Sequence, residues 1–206
     1  PMADEVAGTF GAMAVMMALY HRDRTGEGQW IDVSLYEPLF RYLIPNVPEY
    51  DQKGVVRQRI GNEVHDAAPR NLYKCKDGRW LSLSASTQGI FERVAQGIGR
   101  PDLLKDQRFK DNASRVQNRV ELNAILQEWV GARTLEEALE LLHSSGAVVG
   151  PVYDTAMIME DPHYAAREDI VSVPDPDLGA LKMQATIPKF SKTPGHVYGT
   201  GPALGE

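Results

Sequence analysis

The sequence predicts a mixed α/β chain, on three observations. A long apolar helix pattern fills residues 4–23. Alternating apolar runs flank glycine-containing turns at 70–85 and 170–190, and amphipathic stretches occupy 88–98, 114–131 and 134–144. The expected order is helix–strand–helix over the first fifty residues, then an α+β segment.

The first helix follows from "ADEVAGTFGAMAVMMALYHRDR". Asp4 is a candidate N-cap, Glu5 suits the positive end of the helix dipole, and His21, Arg22 and Arg24 gather at the negative end. Between Phe10 and Leu19 apolar residues cover nearly every face, so other elements are expected to enclose this helix. The run Phe10–Tyr20 is shorter than the about 20 residues that cross a bilayer, and no basic leader precedes it. The expectation is a buried helix and no membrane partner. "RTGEGQ" reads as a turn, "WIDVSL" (30–35) alternates as a strand, and "YEPLFRYLI" (36–44) turns helical after Pro38.

From Pro45 to Pro69 the pattern dissolves into prolines, glycines and charges without a period, the signature of an extended connection. "RNLYKCKDGRWLSLSA" then predicts a hairpin around Asp77-Gly78, a pair favoured in type I′ turns, with Leu81 and Leu83 on the core face. Among the three helices that follow, the last is capped by Thr134 with Glu137 three residues on. "AVVGPVYD" (147–154) reads as a buried strand, 155–168 as a short broken helix, and 170–190 as a second hairpin around 177–179.

Several function classes drop out. Lys and Arg number 22 against 28 Asp and Glu, interspersed, for a net charge of −6, which does not suit a nucleic-acid footprint. The single cysteine, Cys75, allows no internal disulfide, and a reducing cytoplasm is the expected compartment. There is no phosphate-binding glycine loop, no CxxC and no HExxH, and the five histidines have no metal-ligand spacing, so no metal site is expected. Asp4 is open to two readings on pattern alone. It is a helix cap, or it is a carboxylate that the dipole keeps ionised and ready to act as a nucleophile.

Several segments together resemble the family III CoA-transferases, the CaiB/BaiF family. They are "ADEVAGTFGAMAVMMALYHRDRTGEGQWIDVSL", "RIGNEVHDAAPRNLYKCKDGRWLSLSAS", "GRPDLLKDQRF", "GAVVGPVYD" with "DPHYAARE", and the ending "TPG…GPALGE". The resemblance implies an α/β fold, the end of a Rossmann-like large domain followed by a small α+β domain. It assigns residues 1–50 to the large domain's first pass, 51–69 to a linker, 70–190 to the small domain and 191–206 to the return linker. It also implies that both ends are cut, that most CoA contacts lie in a missing N-terminal part, and that the isolated chain is inactive and self-associates.

By the same resemblance Asp4 is the catalytic carboxylate of an acyl-CoA:carboxylate CoA-transferase acting through a covalent aspartyl intermediate. The substrates are an acyl-CoA and a carboxylic acid acceptor, no cofactor is bound covalently, and the subunits form an interlocked homodimer. Several relatives carry a glycine-rich loop that closes over the intermediate. Here that stretch is His65, Asp66, Ala67 and Ala68, where methyl groups make a positive φ costly. An active-site loop and a plain linker turn are both open readings. Two rival functions stand beside transfer. One is an α-methylacyl-CoA racemase, whose His would fall outside this sequence; the other is a non-catalytic assembly module.

Overall fold

The computed structural model describes residues 1–202 and 204–205, and the chain divides into two units, Pro1–Arg59 and Ile60–Glu206. In the first unit, helix α1 runs Met2–Thr25, two residues further out at each end than the sequence pattern suggests. Gly26 ends it in the left-handed conformation at φ 79°, which places the Gly26 N–H on the Arg22 carbonyl at 2.8 Å. Short helix α2 (Glu37–Arg41) carries Pro38 in its first turn, and Ser34 and Glu37 bond reciprocally just ahead of it. Phe10 of α1 meets Tyr42 edge-on, with ring centroids 6.2 Å apart.

Three expectations for this unit need correction. The segment 30–35 joins no ladder among the described residues, and Trp30 is 86% exposed. An alternating pattern specifies a strand only when a neighbour supplies the backbone partners, and the described residues supply none. The expected connection after Pro45 contains a helix, α3 (Asn46–Lys53), closed by Gly54 at φ 65°. Pro48 hid it, although a proline in the first turn removes only an N–H that has no helical partner anyway. Thirdly, α1 is not enclosed: Ala7 is its only buried described residue, and Met13, Met16, Met17 and Tyr20 are exposed.

By length and composition α1 could cross a membrane. Its charge distribution argues otherwise. Only the 15 residues Val6–Tyr20 lie between its charged or titratable ends; at 1.5 Å per residue they rise about 22 Å, short of a hydrocarbon core of about 30 Å.

The second unit is built on an antiparallel sheet in the order β1 (Arg70–Lys74), β2 (Trp80–Ser84), β3 (Val149–Pro151). Tyr73 opposes Leu81, and Leu83 opposes both Asn71 and Val149. Leu81 and Leu83 are fully buried while Trp80, Ser82 and Ser84 face outward, as period-2 alternation requires. The hairpin closes differently from the expected two-residue turn. Cys75 N–H bonds to Arg79 O at 2.8 Å and Gly78 N–H to Cys75 O at 3.0 Å. Gly78 alone has a positive φ (85°), so this is a three-residue loop with a left-handed glycine bulge.

Against the inner face pack α4 (Gln88–Gly97), α6 (Arg119–Gly131) and α7 (Leu135–Ser144). Phe91, Val94, Leu122, Leu126, Val130, Ala138 and Leu142 interlock with Tyr73, Leu81 and Leu83. Burying each large apolar side chain stabilises the unit by about 1.5–3 kcal/mol. The expected long helix at 114–131 is two, because Asn118 breaks it between α5 (Asn112–Gln117) and α6. The Asn118 amide donates to the Ser114 carbonyl (2.9 Å) and to the Arg108 carbonyl (3.2 Å), competing with the helical ladder. Thr134 and Glu137 form the expected capping box of α7. The Asp161-Pro162 step splits the broken helix into α8 (Thr155–Glu160) and α9 (Pro162–Ala166), and β4 (Ile170–Asp175) pairs with β5 (Gly179–Gln184) as the second hairpin.

Candidate functional site

Asp4 lies inside the first turn of α1, not ahead of it. The residue at the cap position is Pro1, which offers no side-chain hydrogen bond, so the expected cap role of Asp4 is not realised. Its carboxylate is exposed at the end where the helix leaves N–H groups without helical partners and the dipole is positive. One and two turns along the same face are Gly8 and Gly11. A Cβ built at either would meet nothing within 4 Å. The carboxylate therefore stands beside a strip of bare backbone that another group can approach closely.

In the second unit, His65–Pro69 is a tightly held loop. Ala68 is 3% exposed. Ala67 and Ala68 both keep negative φ, so their methyl groups carry no backbone strain. Two side chains of α5 hold the loop. Asn112 accepts from the Ala68 N–H at 3.2 Å and donates to the Asp66 carbonyl at 2.8 Å. Arg115 Nε donates to the Ala68 carbonyl at 2.7 Å, and the Ala85 N–H reaches the Pro69 carbonyl at 2.8 Å.

Arg115 is fully buried. Its Nη1 donates to Gln88 Oε1 at 2.7 Å and to the Phe109 carbonyl at 3.3 Å, and its guanidinium lies 4.4 Å from the Phe91 ring centroid. Nη2 has no partner among the described residues. Burial lowers the affinity of this guanidinium for its proton, and the charge of Asp111 opposes that effect. Hydrogen bonds to a charged group contribute about 1.5–3 kcal/mol each, so carbonyls and one aromatic face stand in for a counter-ion. One side chain thus ties the loop to the start of α4, to the turn before α5 and to α5 itself. Nothing in the sequence singles out Asn112 or Arg115. A charged residue in a short helix reads as solvated surface, and no periodicity distinguishes these two.

The other reactive side chains are structural. Burial pushes the Cys75 thiol up, with the Asp77 charge adding to it, so the reactive thiolate is disfavoured. Burial likewise raises the Tyr73 phenol, which donates to Asn123 Oδ1 at 2.6 Å and stays protonated. Among the described residues no cluster of His, Cys, Asp or Glu could hold a metal. The open cleft of about 570 Å³ beside β4 and β5 has Lys189 on its wall, and that lysine pairs with Asp169 at 3.1 Å.

Asp4 is thus an exposed carboxylate on the first turn of a helix, in a chain of mixed helix and sheet. Sequence comparison gives the particular family: the model of CoA-transferase family III matches residues 1–206, and the chain belongs to that family. It is 38% identical over 205 residues to succinyl-CoA–D-citramalate CoA-transferase of Chloroflexus aurantiacus, covering 100% of this chain and 51% of that protein. It is 36% identical over 207 residues to the succinyl-CoA–L-malate CoA-transferase beta subunit of the same organism, with the same two coverages. A CAIB/BAIF family protein from Brucella suis superposes with a TM-score of 0.77 at 30% identity, over 94% of this chain and 50% of that one. The chain therefore spans about half the length of the relatives it matches.

Proposed function

We propose that the polypeptide containing this chain transfers CoA from an acyl-CoA to a second carboxylic acid through Asp4. The observation that carries this reading is the whole-chain family match. It is supported by the exposure of Asp4 at the positive end of α1 and by relatives whose names describe CoA transfer between dicarboxylic acids. Those names also favour transfer over racemisation.

The chemistry runs in four balanced steps. The Asp4 carboxylate attacks the thioester carbonyl, forming a mixed anhydride and releasing CoA thiolate. The thiolate attacks the aspartyl carbonyl, giving an aspartyl-CoA thioester and the free donor acid. The acceptor carboxylate attacks that thioester and displaces the thiolate, which then attacks the acceptor's acyl carbonyl and restores Asp4. Covalent catalysis divides one difficult exchange into easier ones, and both intermediates need protection from water. The family resemblance offers His65, Asp66, Ala67 and Ala68 as active-site loop candidates.

This chain is proposed to be the C-terminal part of a polypeptide whose other part supplies most CoA contacts, covers α1 and adds a Rossmann-like sheet beside residues 30–35. The exposed Met13, Met16 and Met17 on neighbouring turns of α1, and the exposed Trp30, support this, because exposed apolar surface marks a partner site. The assembled enzyme is proposed to be a homodimer.

The test is Asp4→Asn in the complete polypeptide. Asp4 makes no capping bond, so the variant should melt with the parent yet transfer no CoA, because an amide cannot form the anhydride. Hydroxylamine added with succinyl-CoA should leave a hydroxamate on the peptide containing Asp4. Turnover near the parent rate without that adduct would rule out the assignment.

A further inference from the structure

The edge of β4 that faces away from β5 is unpaired. The Ala185 N–H donates to the Asp169 carbonyl at 2.9 Å, so the pairs 169–185, 171–183 and 173–181 carry the ladder bonds. The N–H and C=O groups of Ile170 and Ser172 therefore point outward, and no backbone group among the described residues pairs with them. Pro174 ends this edge, since it offers a carbonyl but no N–H. From Ile170 to Pro174 the edge is about 14 Å long, at about 3.4 Å per residue. Beside it lie two joined hollows of about 570 Å³ and 230 Å³. Both are bounded by β4, by Ala185 and Thr186, and by the chain between Lys189 and Val197, while no residue of β5 lines either. That outer chain makes no backbone hydrogen bond to β4. The slot between them is held at both ends. Gly195 rests on Thr186, where an added Cβ would come within 2.6 Å of the hydroxyl oxygen, and Thr200 Oγ1 donates to Asp175 Oδ2 at 2.6 Å. The floor is apolar, with Val171, Val173 and Ala185 on one face of the hairpin.

The charges select the occupant. Lys189 is already paired with Asp169 at 3.1 Å, and Glu168 lines the same larger hollow. That hollow has no spare cation for a phosphate or a free carboxylic acid, and burying an unpaired charge there would be costly. What the slot does offer is backbone donors and acceptors beside an apolar floor, which is what a further strand requires. We propose that it binds an extended, uncharged peptide segment of a partner protein as a third strand, paired to the Ile170 and Ser172 backbone. Alternate side chains of that segment, β-branched and apolar, cover Val171, Val173 and Ala185. An uncovered edge of this kind is a template for such pairing. The site lies wholly within the second unit and does not depend on the role of Asp4.

Hydrogen exchange on the complete polypeptide tests this with a short peptide of alternating valine and threonine, blocked at both ends and uncharged. At saturating peptide the Ile170 and Ser172 amides should exchange at least tenfold more slowly, with the Leu122 amide of α6 unchanged. The same peptide with every amide N-methylated cannot lie in a ladder and should give no protection. Glutamate in place of its threonines should weaken binding several-fold. Ser172→Pro, which removes an edge donor and no ladder bond, should weaken it at least tenfold. Should that variant fail to fold, the N-methylated peptide on the parent protein still decides. Exchange unmoved by the peptide, or equal protection by its N-methylated form, would overturn the proposal. So would slow exchange at both amides before peptide is added, equal affinity for the glutamate peptide, or protection by succinyl-CoA in place of the peptide.

Discussion

Removing the carboxylate of Asp77 should loosen the joint between the first hairpin and α7. Its Oδ2 accepts from the Leu135 N–H at 3.0 Å, at the first residue of α7, and from Arg79 Nη2 at 2.6 Å; its Oδ1 accepts from the Arg79 N–H at 3.2 Å. Thr134 and Glu137 satisfy two further donors of that helix end, so Asp77 completes a set that the capping box leaves short. Losing a side-chain acceptor at a helix N-terminus costs about 0.5–2 kcal/mol. The half-exposed pair with Arg79 adds at most about 1 kcal/mol once solvent screening is counted. Asp77→Ala should therefore lower unfolding stability by about 0.5–3 kcal/mol. Asp77→Asn, which keeps an acceptor for Leu135, should lose about half as much.

The hydrogen bond from Arg79, then that from Leu135, brings the Asp77 carboxyl down to about 2 from its ordinary 3.8. A folded-state pKa below the unfolded one means that the contribution is fully present above about pH 4. It is lost as pH falls from there through about 2, and only below that do both states bind the proton. Urea unfolding of parent and Asp77→Asn between pH 7 and pH 2, at matched ionic strength, measures the difference directly. The gap should be largest at neutral pH, narrow from about pH 4 downward and be small at pH 2, where the folded carboxyl is about half protonated. A gap under about 0.3 kcal/mol at pH 7, within ordinary surface-substitution scatter, would refute the reasoning. So would a gap as large at pH 2 as at pH 7.

Gly78→Val should destabilise the second unit by about 1–2 kcal/mol, because φ at Gly78 is 85°. A Cβ there meets nothing within 4 Å, so backbone strain and not a clash would lower the melting temperature, which a thermal scan reads. Among the described residues Glu168 is the non-glycine residue with a left-handed φ, 51°, where the chain leaves α9. Glu168→Gly should relieve about 1–2 kcal/mol of that strain against an entropic cost of about 0.5–1 kcal/mol, for a small rise in melting temperature. A fall would mean that the exposed Glu168 side chain stabilises the fold.

Local pattern determined much of this protein. The strands 70–74 and 80–84, the inward Leu81 and Leu83, the Thr134–Glu137 capping box and the apolar faces of α4, α6 and α7 all follow from periods of 2 and 3.6 and from residues within four positions of each other. Family membership is likewise carried by short ordered segments, Asp4 among them. Tertiary structure decided the rest. Whether "WIDVSL" becomes a strand depends on a neighbour that its own alternation cannot supply. Whether the turn after Cys75 takes two or three residues depends on the register of Tyr73 against Leu81. Whether α1 is covered depends on what packs against it. The hold on the loop at 65–69 comes from Asn112 and Arg115, 44 to 47 positions away from the groups they bind. Hydrogen bonds over that separation leave no period in a sequence; they exist only once the sheet and the helices have brought both segments together.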